Sequence, residues 1–154
     1  MTAEPRFRDP LKKNRYRVID GDTVEVEIDR GHNDAKVLSI RILGTDAPES
    51  NTRRNPLERE AGKLVTKVVE QWMLDRIETR LYASSEVRPK YAGRTIGRIW
   101  PEGGLAEGDE LSAFLLEGGF VRPYDGGTRD PWPDDHLHAI IAACHGHHEA
   151  QPPS

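Results

Sequence analysis

Hydrophobic and polar residues alternate in two neighbouring segments of the first third of the chain. The first segment reads T-V-E-V-E-I-D from Thr23, and the second reads K-V-L-S-I-R-I-L from Lys36. A period of two is typical of half-buried β-strands. A polar turn at residues 30–34 joins the two segments, so the sequence predicts a β-hairpin. An earlier strand is predicted to begin at residues 16–19.

A helical period follows after residue 54. Asn55 is a suitable N-cap, Pro56 occupies the first helical position and Glu58 the third, which together resemble a capping box. The apolar residues that follow form one continuous face, which predicts a core-packed helix rather than a groove for a partner. These residues are Leu57, Ala61, Leu64, Val65, Val68, Val69, Trp72 and Met73.

The rest of the chain carries shorter strand and helix signals. Strands are predicted at 79–87 and 95–100, a short helix at 109–117 and a last helix after Pro133. About five short strands, with helices placed late in the chain, predict an α+β fold. The expected architecture is a small closed or partly open barrel that is capped by helices.

The length and the charge fit a single domain. The chain has 154 residues, which is enough to bury a core. Its charged, proline-bearing start predicts a flexible arm over 1–14, followed by one domain over 15–145 and a disordered tail over 146–154. The net charge of −4 gives no long-range attraction to nucleic acid, so any such binding has to come from a local cluster of Arg and Lys.

The cysteine content and the N-terminus bear on localisation. Cys144 is the single cysteine, which excludes an internal disulfide and fits a reducing compartment. The first residues contain no apolar run typical of a signal peptide, and no segment is long enough to span a membrane. A cytoplasmic protein is therefore expected, although a secreted protein that had lost its signal would look the same.

Histidines are concentrated near the C-terminus, where five of the six lie in the last 19 residues. Their spacing lacks the second ligand cluster that a zinc site needs. A solvated tail is expected, with adventitious binding of Ni²⁺ or Zn²⁺ as the alternative. These histidines are His136, His138, His145, His147 and His148.

Acidic residues flank both strands of the predicted hairpin. Asp22 leads into the first strand, while Asp46 and Glu49 follow the second. Because the start of one antiparallel strand lies beside the end of its partner, these carboxylates should meet, with Arg41 a few residues away. Taken singly, each aspartate could be only a turn or strand-end residue, and Arg41 could be an ordinary surface residue. A cluster favours a hard cation such as Ca²⁺ or Mg²⁺, and a cation beside an arginine is typical of phosphate chemistry.

The segments I-D-G-D-T and R-I-L-G-T-D-A-P-E resemble the signature of the staphylococcal nuclease-like (thermonuclease) family. The resemblance extends over roughly residues 16–124, and it implies a five-stranded OB-fold β-barrel with three helices. Several spaced polar residues match together, which makes the resemblance more specific than a single short motif.

The resemblance also implies a role for each matching residue. Asp22 and Asp46 correspond to side-chain ligands of Ca²⁺, and Ala47 corresponds to a ligand through its backbone carbonyl. Glu49 corresponds to the carboxylate that activates the attacking water. Arg41 and Arg94 correspond to the residues that bind the phosphate and stabilise the charge of the transition state.

Three further residues are candidates for substrate binding, and each has a structural alternative. Lys90 could contact phosphates or belong to a solvated charge cluster. Tyr91 stands one place earlier than the aromatic residue that the family has before Gly-Arg, since Ala92 precedes Gly93-Arg94 here. It could stack on a base or cover a strand end. Tyr124 could line a nucleotide pocket or be a structural tyrosine beside a proline.

Two hypotheses for function remain open. The first is a Ca²⁺-dependent, largely sequence-nonspecific nuclease, a phosphodiesterase that acts as a monomer on DNA and RNA. The resemblance implies cleavage of the 5′ P–O bond to leave 3′-phosphates. The second is a non-catalytic OB-fold module that binds nucleic acid or protein. Such modules typically lack the arginine and glutamate positions that Arg41, Glu49 and Arg94 occupy here, which favours the enzyme.

Overall fold

The structure is a computed structural model that describes residues 9–76, 78–86 and 94–150. It contains three α-helices and a mostly antiparallel set of short strands. The strands are β1 (Asp9–Asp20), β2 (Thr23–Gly31), β3 (Asp34–Ile42), β4 (Thr45–Asp46), β5 (Leu81–Ala83), β6 (Arg94–Gly97), β7 (Ile99–Pro101) and β8 (Arg122–Pro123). The helices are α1 (Pro56–Asp75), α2 (Leu111–Glu117) and α3 (Asp134–Ala150), and a single 3₁₀ turn spans Leu105–Glu107.

The predicted hairpin is confirmed as the antiparallel pair of β2 and β3. Val24 pairs with Ile40 and Val26 pairs with Leu38, so the apolar residues of both strands lie on one face. Val24, Val26 and Ile40 are almost completely buried. The hairpin therefore forms the centre of the sheet and fixes the positions of the residues at its ends.

Six strands form one sheet in the order β6-β3-β2-β1-β5-β7, and β4 pairs with β8 in a separate two-stranded sheet. The pairs are antiparallel except for β3 with β6, which is parallel. The mixed α+β fold with three helices is confirmed. The pairing assigned among the described strands is an open order and not a closed barrel, so the five-stranded barrel stays a prediction.

The helix predicted after residue 54 is confirmed as α1, with Asn55 as its N-cap and Pro56 at its start. The Asn55 side chain accepts a hydrogen bond of 3.1 Å from the backbone N–H of Glu58. Val65, Val69 and Met73 are completely buried on its apolar face, which packs against β1 and α3. In the described ranges no helix combines the length and the hydropathy that a bilayer crossing demands.

Two boundary predictions differ from the structure. β1 begins at Asp9 because Asp9 and Pro10 pair with Ala83 and Tyr82 of β5, so part of the predicted arm is a strand. Polar composition could not reveal this pairing, because the partner strand lies far along the chain. The division into arm, domain and tail is otherwise a prediction, since residues 1–8 and 151–154 lie outside the described ranges.

The other difference concerns the histidine-rich end of the chain, where α3 continues to Ala150 instead of giving way to a tail at residue 146. The His147 ring lies edge-on to Phe114 and Phe120, with ring centroids 5.7 and 5.5 Å away. These contacts hold the last turn of the helix, so residues 146–150 are helical rather than irregular, although His145 and His148 are exposed to solvent as expected. Among the described residues no three His, Cys, Asp or Glu side chains come together in a way that could hold a metal ion.

Candidate active site

Asp22 and Asp46 lie beside each other where the hairpin meets β4. Both are nearly fully buried, with 4% and 2% of their surfaces exposed. One Nη atom of Arg41 lies 3.5 Å from Oδ2 of Asp22 and 3.9 Å from Oδ1 of Asp46. The structure thus brings together the two carboxylates and the arginine that the hairpin pattern predicts to meet.

The Asp22 carboxylate is held by groups on either side of it. Its Oδ1 accepts a hydrogen bond of 2.9 Å from the Thr23 hydroxyl, and its Oδ2 accepts one of 3.0 Å from the backbone N–H of Ala47. The second of these bonds joins the start of β2 to the loop after β4. Ala47, whose carbonyl is a candidate metal ligand, is therefore tied directly to a candidate side-chain ligand.

Asp46 has a partner that the sequence analysis missed. Arg122 in β8 lies directly opposite Asp46 in the β4–β8 pair. Its Nε donates a hydrogen bond of 2.9 Å to Oδ2 of Asp46, and its Nη2 forms an ion pair with the same oxygen at 2.8 Å. The Arg122 guanidinium also lies 3.8 Å from the centre of the Trp132 ring and donates to the Asp130 carbonyl at 2.5 Å. Strands of two residues carry no periodic pattern, so no sequence signal could have found this pair.

Tyr124 and Arg129 complete the arginine-rich side of the site. Arg129 Nε is 3.8 Å from Oδ1 of Asp46. The guanidiniums of Arg41 and Arg129 each lie 5.3 Å from the centre of the Tyr124 ring, within cation–π range, and the Tyr124 hydroxyl donates to the Gly127 carbonyl at 2.7 Å. Tyr124 therefore contacts two of the arginines beside the carboxylate pair, while its role in substrate binding stays a prediction.

Glu49 is exposed on the loop between β4 and α1, and the backbone around it is fixed from two directions. Its own N–H donates to the Glu58 carboxylate at 2.9 Å. The backbone N–H and the hydroxyl of Ser50 both donate to Oδ1 of Asp20, at 3.0 and 2.5 Å. The Glu58 carboxylate thus accepts a hydrogen bond from Glu49 rather than from the backbone of the N-cap residue. Through this bond α1 orients the loop that carries the candidate base.

Two glycines allow this loop and the start of β2 to approach α1. A Cβ at Gly62 would lie 2.6 Å from the carbonyl carbon of Glu49 and 2.6 Å from the nitrogen of Ser50. A Cβ at Gly21 would lie 2.3 Å from a methyl of Val65. Both distances are shorter than a Cβ atom tolerates. Glycine at these two positions therefore allows α1 to pack directly against the Glu49 loop and the start of β2.

Burial and neighbouring charge alter the acidity of two of the carboxyl groups. Burial raises the pKa of Asp46, and Asp22 adds to this rise, while the hydrogen bond and charge of Arg122 and the charge of Arg41 oppose it. Partial burial also raises the pKa of Glu49, and the nearby carboxylates of Glu58, Asp20, Asp22 and Asp46 add to the rise. A carboxyl group with a raised pKa is a more basic proton acceptor, which suits a general base.

Arg94 lies at the start of β6, on the same sheet face as Arg41. Ser39 is its partner in the parallel β3–β6 pair, and Arg41 lies two residues further along β3. The two arginines are therefore diagonal neighbours with Cα atoms roughly 8 Å apart. Arg94 is exposed, and the structure does not bring it into contact with the described carboxylates of the site. Lys90 and Tyr91 lie outside the described residues.

The candidate ligands among the described residues, Asp22, Asp46 and Ala47, offer oxygen atoms to a metal ion, which suits Ca²⁺ or Mg²⁺. Asp22 and Asp46 fit as carboxylate ligands because both are buried and face the same guanidinium. Glu49 is not gathered with them into a three-carboxylate group within the described part of the chain. Arg122 already compensates Asp46, so the acidic pair does not by itself require a cation, contrary to the electrostatic argument from the sequence.

Comparison with known proteins agrees with part of this picture. The chain is 32% identical over 87 residues to a thermonuclease from Staphylococcus hyicus, and the match covers 54% of this chain and 45% of that protein. The chain thus spans a little less than half the length of this curated relative. No family model matches the chain. The comparisons therefore indicate a partial similarity to a staphylococcal nuclease.

Proposed function

We propose that the protein is a Ca²⁺-dependent nuclease that hydrolyses phosphodiester bonds of DNA, and also of RNA, with little sequence preference. The observation that carries the proposal is the pair of buried carboxylates, Asp22 and Asp46, that face the Arg41 guanidinium. The partial similarity to a thermonuclease supports the same reaction class. Both features point to phosphodiester chemistry.

In the proposed reaction each residue has a distinct role. Asp22 and Asp46 would hold Ca²⁺ through their side chains, and Ala47 would hold it through its carbonyl. When bound there, the ion would supply Lewis-acid polarisation of the phosphate. Glu49 accepts a proton from the attacking water, and its raised pKa makes it a better acceptor. Arg41 binds a phosphate oxygen and stabilises the negative charge that develops there.

The charges around the site support an anionic substrate. Asp22, Asp46 and Glu49 contribute three negative charges, and the guanidiniums of Arg41, Arg122 and Arg129 lie near Asp46. Arg94 adds a further positive charge on the face that carries Arg41. A phosphodiester therefore meets local positive charge although the whole chain has a net charge of −4.

The proposed architecture is a five-stranded OB-fold barrel. β6 and β7, the two end strands of the sheet, are separated only by Arg98. The backbone N–H of Ser84 donates to the Arg98 carbonyl at 3.0 Å, and that of Glu86 donates to the Ile96 carbonyl at 2.8 Å. These bonds extend the pairing of β5 with β7 towards β6, so one continuous stretch contacts both β3 and β5. Barrels of this kind present their loops to nucleic acids.

One observation favours the alternative, a non-catalytic OB-fold module. Arg122 pairs with Asp46 closely enough that the site is electrostatically compensated without any cation. An arginine-rich surface of this kind could bind nucleic acid strands and leave them intact. The two functions differ in whether the bound strand is cleaved.

The experiment that tests the proposal incubates the protein with plasmid DNA in Ca²⁺, in Mg²⁺ and in chelator. We expect degradation in Ca²⁺, with the rate reduced by a factor on the order of 10² or more in Glu49→Gln because the general base is lost. The control is Glu60→Gln, which removes an exposed carboxylate on α1 and should leave the rate unchanged. Intact DNA with a gel shift in all three conditions would instead support the binding module.

A further inference from the structure

The Asp46 carboxylate is held asymmetrically. Nε of Arg122 donates to Oδ2 at 2.9 Å, and Nη2 of Arg122 lies 2.8 Å from the same oxygen. Oδ1 faces the longer contacts, with Arg41 at 3.9 Å and Arg129 at 3.8 Å. Contacts of this length are weaker than hydrogen bonds. Replacing the contacts of Oδ1 by a ligand therefore costs less free energy than replacing those of Oδ2.

Arg122 is itself fixed on three sides. It lies opposite Asp46 in the β4–β8 pair, its guanidinium stacks on Trp132, and it donates to the Asp130 carbonyl. A guanidinium in a rigid setting presents its donors in a fixed plane, which a flexible ammonium group cannot do. The orientation of the Asp46 carboxylate is therefore set by Arg122 rather than by the β4 backbone alone.

We propose that Arg122 is a positioning residue that engages Oδ2 of Asp46 and so presents Oδ1 to the cation. Asp46 then acts as a ligand through one oxygen. The proposal rests on the proposed function in that it concerns the same cation site. It adds a residue outside the set that the sequence indicated, and it assigns different tasks to the two oxygens of one carboxylate.

The test measures the affinity for Ca²⁺ alone by calorimetry, without nucleic acid, for wild type, Arg122→Met and Arg122→Lys. We expect the dissociation constant to rise about 10-fold to 100-fold in Arg122→Met, as for other groups that orient a metal ligand. Arg122→Lys should give an intermediate value, since it keeps the charge but lacks the planar pair of donors. An unchanged constant in both variants would overturn the proposal.

The chain offers a matched control at Arg76. Arg76 pairs with Asp109, with an Nη2 to Oδ1 distance of 2.9 Å, and stacks on Trp72 with its guanidinium carbon 4.3 Å from the ring centre. This arrangement has the same chemistry as that of Arg122 but no contact with the candidate site. Arg76→Met should lower stability and leave the Ca²⁺ dissociation constant unchanged, which separates positioning from a general loss of structure.

A second measurement, made in chelator, asks whether Arg122 acts through Asp46. Urea unfolding is compared for Arg122→Met, Asp46→Asn and the double variant. If the two residues act on each other, the loss of stability from Arg122→Met should fall by at least half in the Asp46→Asn background. Equal losses in both backgrounds would contradict the proposal.

The DNA assay separates this proposal from the proposed function. Wild type that binds Ca²⁺ without cutting DNA, together with weakened binding in Arg122→Met, would refute the nuclease and uphold the positioning role. Wild type that cuts DNA, with Ca²⁺ binding unaffected in Arg122→Met, would uphold the nuclease and refute the positioning role. Wild type that binds no Ca²⁺ would overturn both.

Discussion

Replacing Gly62 by alanine tests the close approach of α1 to the loop that carries Glu49. The added Cβ would lie 2.6 Å from the Glu49 carbonyl carbon, 2.6 Å from the Ser50 nitrogen and 2.7 Å from the Pro48 oxygen. All three are backbone atoms, so no side chain can rotate away to make room. The loop or the helix has to move; the loop holds Glu49, and the helix holds Glu58, which accepts a hydrogen bond from the Glu49 N–H.

Helix propensity alone would make Gly62→Ala stabilising, but we expect the substitution to lower the free energy of unfolding. Alanine is favoured over glycine inside a helix by about 1 kcal/mol. Overpacking of a tight contact costs about 1–3 kcal/mol. A shift of the loop would also weaken the bond from Glu49 N–H to Glu58 and those from Ser50 to Asp20, each worth about 1 kcal/mol. We expect a net loss of about 2 kcal/mol in the free energy of unfolding, or a fall in Tm of about 4–8 °C.

The assay is urea unfolding, with the slope of the transition checked for equality between variants. Gly146→Ala is the control, because a Cβ at Gly146 in α3 meets nothing within 4 Å. It should show the gain of about 1 kcal/mol that propensity alone predicts. If Gly62→Ala were stabilised to the same extent, α1 and the Glu49 loop could not lie as close together as described, and the prediction would be refuted. DNA cleavage by Gly62→Ala should also fall by a factor on the order of 10², because small displacements of a catalytic group are costly.

Two further predictions concern the acidity of Glu49 and the geometry of Arg41. Glu58→Gln keeps an oxygen that can accept from the Glu49 N–H but removes a negative charge that raises the pKa of Glu49, so that pKa should fall. A general base must be ionised, so the rise of the cleavage rate with pH should move to lower pH in this variant; a pH–rate profile beside Glu60→Gln checks this, and an unmoved profile would remove Glu49 as the titrating base. Arg41→Lys should lower kcat for DNA cleavage by a factor on the order of 10² although the charge is kept, since one ammonium cannot replace the planar donors. A kcat close to that of wild type would show that Arg41 supplies only charge.

The parts of the molecule that the sequence predicted depend on local patterns. Alternation fixed the hairpin, and Asn55 with Pro56 marked the start of α1. Because the hairpin is antiparallel, its geometry also brought Asp22 and Asp46 together without knowledge of any other element. Local rules were sufficient here because each residue involved lies within or just beyond one pair of adjacent strands.

The parts that were missed depend on contacts between distant segments. Arg122 reaches Asp46 across 76 positions of sequence through a pair of two-residue strands. β1 begins at Asp9 because it pairs with β5, and α3 continues past residue 146 because His147 contacts Phe114 in α2 and Phe120 just after it. In each case the segment is too polar or too short to show a strand or helix pattern. Its structure depends on a partner that lies far away in the sequence.

The presence of Arg122 changes which observation separates a nuclease from a binding module. Because Arg122 pairs with Asp46, the two carboxylates do not need a cation to offset their mutual repulsion. That repulsion therefore cannot decide between the nuclease and the binding module. The burial of Asp22 and Asp46 still can. Burying ionised groups is costly, and buried ion pairs can often be replaced by apolar residues with no loss of stability. A surface that only binds nucleic acid strands needs exposed arginines and does not require two carboxylates buried side by side beneath them, whereas the proposed hydrolysis uses both aspartates as ligands.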